Sequence, residues 1–147
     1  MKKFVLLLPL LLAVVSVTSF ARNTPDADPR AEKTFNKYFA GAANVKWSAE
    51  GDFLKVSFTW AERQTVAYFN LDGELAGSIR NLFFTQLPLS VMKSVKDSFK
   101  NPVMIEIMEI SNEEGVHYAL VVEDNHKKYK TRINSFGELI ERIKIRK

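Results

Sequence analysis

Cysteine is absent from the 147 residues. That excludes disulfides, thiolate metal ligands and a cysteine nucleophile, so stability must come from a packed core. Histidine is nearly as scarce, and neither His117 nor His126 stands near a Gly-x-Ser-x-Gly turn, so a serine hydrolase lacks its base. Two histidines about one hairpin apart, without His-x-x-x-His spacing, do not offer the ligand geometry zinc needs. With six glycines in the whole chain there is no glycine-rich phosphate loop. A strong excess of one charge is also missing, since 21 basic residues face 17 acidic ones, a formal net charge of +4 that does not call for a nucleic-acid partner. Nor is there an apolar run of the roughly 20 residues that a membrane span requires.

The nearest approach is FVLLLPLLLAVVSV at residues 4–17, which follows Met1-Lys2-Lys3 and precedes Ser19-Phe20-Ala21. A basic start, a short apolar stretch and small residues at minus three and minus one specify a secretory signal peptide over residues 1–21, cleaved after Ala21. A lipid anchor would need a cysteine at that point. The expected mature chain, residues 22–147, loses Lys2 and Lys3 and carries 19 basic against 17 acidic residues, or +2. Its expected location is the periplasm or the exterior of the cell, with no membrane span and no nucleic acid.

Residues 22–30, RNTPDADPR, read as a flexible lead-in that ends in a helix start, with Asp28 as N-cap and Pro29 as first helical residue. Ala31, Phe35, Tyr38, Phe39 and Ala42 then share one helical face, and Gly41 allows a stop. From Val45 the period changes to two: VKWS, FLKVSFTW, QTVAYFNL and ELAGSIRNL are separated by turn residues such as Glu50-Gly51-Asp52 and Asp72-Gly73. In the second run Leu54, Val56, Phe58 and Trp60 form an apolar side, and Phe53, Lys55, Ser57 and Thr59 a mixed one. LPLSVMKSVKDSFKNP restarts the cycle, with Leu87, Val91, Val95 and Phe99 spaced by four. MIEIMEIS, GVHYALVVE, HKKYKTRIN and ELIERIKIR complete it. On these last runs Tyr118, Leu120, Val122, Tyr129, Thr131, Ile133, Leu139, Ile143 and Ile145 are assigned to the apolar side.

Helix and four strands thus occur twice, over residues 31–82 and 83–147, and the near-identical NLDGEL (70–75) and NSFGEL (134–139) are the same hairpin in each half. Phe39 to Asn70 spans 31 positions and Phe99 to Asn134 spans 35, which places about four extra residues in the first hairpin of the second half. The expected fold is α+β: a tandem duplication of a helix plus a four-stranded antiparallel meander. A unit of about 60 residues buries only about 60% of its unfolded surface, so one shared eight-stranded antiparallel sheet with helices on one face is favoured over two lobes.

Tyr38-Phe39, Val45-x-Trp47, Val56-x-Phe58, Ala67-x-Phe69-Asn70-x-Asp72-Gly73, Leu87-Pro88 and Tyr118, in that order, resemble the β-lactamase-inhibitor-like, PepSY-like domain family of exported bacterial proteins. The resemblance covers residues 31–147. It implies a tandem pair of α/β units on one eight-stranded sheet, whose open face grips a protein partner in a relative of that family. The second half departs from the pattern, with Ser135-Phe136 before Gly137 and Ile107 where Trp47 would recur.

Catalytic chemistry finds little support. Glu106, Glu109, Glu113 and Glu114 read as solvated strand and turn acids without an apolar pocket to raise a pKa. Asn70-x-Asp72-Gly73-Glu74 matches a calcium loop only in part: with Gly73 at position six, Tyr68 and Ile79 fall where carboxylates are needed. No enzyme activity, cofactor or metal is expected. What remains is the polar sheet side. Lys128, Lys130 and Arg132 alternate with apolar residues, as do Arg142, Lys144 and Arg146, and all six are expected to project from one side. They form either a solvated face that protects an edge strand or a basic docking surface for an acidic protein patch or an anionic envelope polymer. In the docking reading Phe53 and Tyr68, beside Lys55, are the apolar anchors. The expected function is an exported non-catalytic binding module, possible inhibitor of an envelope enzyme. The alternative is a periplasmic small-ligand carrier with a pocket between sheet and helices.

Overall fold

A computed structural model describes residues 27–146 of the chain. The expected signal peptide, residues 1–21, and most of the expected lead-in, residues 22–30, lie outside the described residues. Asp28 caps helix α1 (Pro29–Tyr38), its carboxylate accepting the Arg30 N–H at 2.8 Å, and Pro29 takes the first turn, where a missing N–H costs nothing. Helix α2 (Leu89–Ser98) follows Pro88 and is preceded by a short 3-10 turn, Phe84–Gln86, for which no sequence signal was assigned.

The strands are β1 (Ala43–Glu50), β2 (Phe53–Trp60), β3 (Arg63–Phe69), β4 (Leu75–Asn81), β5 (Val103–Asn112), β6 (Gly115–Asp124), β7 (Lys127–Asn134) and β8 (Leu139–Lys144). They form one sheet in chain order, antiparallel throughout, and β4 pairs directly with β5. The α+β expectation of one eight-stranded sheet with both helices on one face therefore holds. The extra residues of the second half sit where expected, because β5 and β6 have ten residues each against eight in β1 and β2.

Each helix covers its own core. Under α1, Phe35 is the hub: its ring centroid lies 4.9 Å from Phe58, 5.5 Å from Trp47 and from Phe39, and 6.5 Å from Phe69. Under α2 the core is largely aliphatic, with Val91, Val95, Phe99, Ile107, Leu120, Val122 and Ile133 buried. Trp47 pairs with Val56 and Ile107 with Leu120 at the corresponding place, so a large aromatic in one half answers to an aliphatic in the other. One helical assignment is corrected. Tyr38 is 53% exposed, because the helix ends there and Phe39, outside it, turns its ring onto Phe58 and Trp60 at 4.8 and 5.5 Å.

The repeated turn is built the same way bond for bond. Asn70 Oδ1 accepts the N–H groups of Asp72 and Glu74 at 3.0 and 2.9 Å, and Asn134 Oδ1 accepts those of Phe136 and Glu138 at 3.0 and 2.9 Å. Gly73 and Gly137 take φ of +79° and +87°. Each turn also seats a helix. A Cβ on Gly73 would stand 2.6 Å from Arg30 Cβ and 2.7 Å from Ala31 N, and one on Gly137 would stand 2.6 Å from the Ser90 carbonyl oxygen. Arg30 Nη2 donates to the Leu71 carbonyl (2.9 Å), and Ser90 Oγ donates to that of Ser135 (3.0 Å).

Both turns are followed by the same bulge. Tyr68 pairs with Gly77 but Phe69 with Leu75, and Arg132 pairs with Glu141 but Ile133 with Leu139, leaving Ala76 and Ile140 as the extra residues. A bulge of one residue flips the side on which every later residue projects. This overturns the assignment of β8. Leu139 is on the helix side opposite Ile133, but Ile143 pairs with Lys130 and lies on the open side, while Arg142 and Lys144 pair with Thr131 and Tyr129 and lie on the helix side.

Gly73→Ala and Gly137→Ala are each expected to cost more than about 2 kcal/mol, by left-handed strain plus displacement of helix backbone. Gly51→Ala, at φ +60° with nothing within 4 Å, should cost only about 1 kcal/mol. Denaturant midpoints of the three variants check the order, and equal losses would remove the helix-seating role.

Candidate functional site

Cross-strand partners project from the same side of a sheet, so the register assigns each candidate residue to a face. Phe53, Lys55 and Tyr68 are on the side away from the helices, with Lys55 directly opposite Tyr68. Tyr68 in turn faces Gly77, Ile79 faces both Val66 and Ile110, and Ile110 faces His117. None of these open-side residues is buried by another part of the described chain. Phe53 is 42% exposed.

Gly77 leaves a depression at the centre of this group. Phe53, Tyr68, Ile79 and Ile110 surround a shallow cavity of about 330 Å³ whose base is Gly77 and its neighbours on β4 and β5. The sequence assignment picked out Phe53 and Tyr68 but missed Gly77, Ile79 and Ile110, which are contributed by both halves. A lone glycine inside the ELAGSIRNL strand was the available signal, since strand glycines often mark a place where something approaches the backbone closely. Lys55 is less free than its position suggests. Its ammonium donates to Glu50 at 2.6 Å and lies 5.9 Å from the Tyr68 ring centroid. The Glu50 contact, aided by Tyr68, holds its pKa above the ordinary lysine value. It braces Tyr68.

The six-cation surface does not exist as expected. Lys128, Lys130 and Arg132 do share the open side, opposite Glu123, Val121 and Ala119 of β6. Across β8, however, Lys130 meets Ile143 and Arg132 meets Glu141. Lys144 points to the helix side, as does Arg142, whose guanidinium lies 4.4 Å from the rings of both Phe99 and Tyr129 and donates to the Ser98 carbonyl at 3.1 Å. The cause is the Ile140 bulge. The open face therefore has an apolar middle and a moderate basic stripe on β7, about four strand spacings or roughly 19 Å from Tyr68.

The helix side of the sheet has its own cavity, about 490 Å³, over the β4–β5 join, bordered by Phe39 and Trp60 at one end and by Tyr118 and Ser135 at the other. Its strand floor is polar: Ser78 faces Ser111, and Arg80 faces Glu109 with an ion pair of 2.7 Å. Tyr118 donates its hydroxyl to the other Glu109 oxygen at 3.3 Å, and Arg80 lies 5.6 Å from the Trp60 ring. A carrier for an apolar ligand would want an enclosed apolar space here, and this cavity is open with a charged floor. His117 lies in β6 on the open side, and His126 in the β6–β7 turn at φ +61°.

No family model matches the chain, and no curated protein does. Solved structures do. A BLIP-like protein from Bacteroides fragilis superposes with a TM-score of 0.70 at 18% identity, over 80% of this chain and 86% of that one. A candidate periplasmic protein from Bacteroides eggerthii gives 0.69 at 18%, over 81% and 89%. A DUF2874 family protein from Bacteroides uniformis gives 0.69 at 15%, over 80% and 89%. The fold is thus that of BLIP-like proteins, in agreement with the resemblance read from the motifs.

Burial, and then the nearby Glu109 carboxylate, push the Tyr118 phenol above its ordinary value of 10.0. The unfolded chain loses this proton first, so this contribution to stability is intact below pH about 10 and is lost as pH rises through the folded value. Denaturant midpoints measured from about pH 8 to 11 should fall less steeply in Tyr118→Phe than in the wild type. Parallel curves would mean that the phenol is not linked to folding.

Proposed function

We propose that the protein is an exported, non-catalytic binding module that recognises a protein partner through the open face of its sheet. The observation that carries this reading is the apolar cavity over Gly77, ringed by Phe53, Tyr68, Ile79 and Ile110 and left uncovered by the described chain. Interfaces concentrate binding energy where a side chain from one partner fills a desolvated pocket on the other, and aromatic residues with a polar rim are the usual setting. Lys130 and Arg132 stand on the same face two to three strands away, on β7, and favour a partner whose apolar projection is accompanied by acidic residues at that distance. An anionic polymer would engage the cations but leave the apolar centre exposed to water, so a protein suits the face better.

The signal-peptide-like start supports export, and the periplasm or the cell exterior is the compartment it serves. The shared fold of a BLIP-like protein supports an inhibitor-like rather than catalytic role. The matching element order and the bond-for-bond repetition of the Asn-x-x-Gly-Glu turn support two copies of one ancestral unit. The tandem arrangement brings β4 of one copy beside β5 of the next, which creates the cavity.

Crosslinked capture from envelope extract tests the reading with four chains: wild type, Phe53→Ala/Tyr68→Ala, Lys130→Glu/Arg132→Glu, and Lys93→Glu on the helix side. Both open-face variants should lose a protein that wild type and Lys93→Glu retain. The same recovered set from all four chains would remove the open face from the account.

A further inference from the structure

Lys144, turned away from the open face, and Arg146 meet Lys127 and Lys128 at one end of the sheet. The β6–β7 turn is tight, with Asn125 and His126 both at positive φ, and it delivers Lys127 and Lys128 at the start of β7. β8 runs back beside them, and the Ile145 N–H donates to the Lys128 carbonyl at 2.8 Å, which brings Lys144 and Arg146 to the same place. All four cations, with His126, line one cavity of about 800 Å³. Lys128 projects from the open side and Lys144 from the helix side, so the cations clasp the end of the sheet from both faces.

Glu123 is the one carboxylate in the lining. Among the described residues, no Asp or Glu oxygen lies within 4 Å of any of the four cations. Asp124, adjacent in sequence, is turned away: its Oδ1 accepts the Asn101 N–H at 2.9 Å. Four like charges around one cavity repel one another, and a multivalent anion removes that cost while gaining charge-assisted hydrogen bonds. The volume falls in the range of small-molecule sites and exceeds what one inorganic ion fills. Three of the four cations are lysines, compact point charges of the kind that commonly bind phosphate, whose oxygens can be approached from several directions at once.

We propose that this sheet-end cavity binds a compact ligand bearing two or more phosphate groups, held by Lys127, Lys128, Lys144 and Arg146. The site goes beyond the open-face reading and shares only Lys128 with that face. Its ligand approaches from the sheet end, so it can be occupied whether or not a protein partner sits over Gly77.

Inorganic tripolyphosphate is the probe. Calorimetric titration of the mature chain should show one saturable site whose affinity falls with added salt, and amide chemical shifts should move around residues 123–128 and 144–146. Lys127→Gln/Lys144→Gln should weaken binding at least about tenfold, or about 1.4 kcal/mol. Lys93→Gln, on the exposed side of α2 and outside the cavity, should bind like wild type, and thermal midpoints confirm that each variant is folded. Citrate, a tricarboxylate of similar charge, should bind clearly more weakly. The proposal is overturned by an absence of saturable binding, by an equal loss in Lys93→Gln, or by citrate binding as tightly as tripolyphosphate.

Discussion

Five residue pairs between β4 and β5, from Gly77 opposite Asn112 to Asn81 opposite Met108, turn two small units into one molecule. Each unit has its own helix and meander, and the buried residues of the two halves form separate clusters. At about 60 residues such a unit is marginal by surface-to-volume scaling, and the ladder gives each a neighbour in place of a bare sheet edge. The two sides of the ladder differ in chemistry. On the helix side Arg80 and Glu109 meet beside Ser78 and Ser111, a partly buried polar seam. On the open side Ile79 meets Ile110 next to Gly77, and the candidate binding cavity straddles the join. Loss of that pairing would divide the cavity between two fragments.

The Asn-x-x-Gly-Glu turn has three effects at once. Its asparagine oxygen satisfies two backbone N–H groups, so the hairpin closes without help from other elements. Its glycine lies against the first turn of the helix, so no side chain separates the two backbones. The bulge that follows shifts β4 and β8 by one residue. In the first half that shift places Ile79 on the open side. In the second half it places Ile143 there and turns Arg142 inward, where the guanidinium stacks on Phe99 and Tyr129 and satisfies a carbonyl at the end of α2.

Redistribution of charge follows from the same bulge. Had β7 and β8 kept an unbroken alternation, six cations would crowd one face with little to neutralise them. Instead Lys130 stands between Val121 and Ile143, and Arg132 between Ala119 and Glu141. The concentration of positive charge moves to the sheet end, where Lys127, Lys128, Lys144 and Arg146 approach from different directions. Separating the proposed docking surface from the proposed basic pocket allows each to be altered by substitution with little effect on the other.

Local chemistry was enough to read most of the fold. The Asp28-Pro29 cap, the four-residue spacing of Val91, Val95 and Phe99, the two-residue alternation of FLKVSFTW and the doubled turn all act within a few residues of themselves, so they stand in the sequence in plain form. They determined the elements, their order and the expectation of one continuous sheet. The tertiary structure alone decided which side of β8 each residue occupies, because a single bulged residue, invisible to periodicity, inverts the pattern beyond it. It alone joined Phe53 and Tyr68 to Ile79 and Ile110 around Gly77, and Lys127 to Lys144 at the sheet end. Those groups are assembled by pairing between distant strands, and the register of that pairing is set by the whole sheet rather than by any one segment.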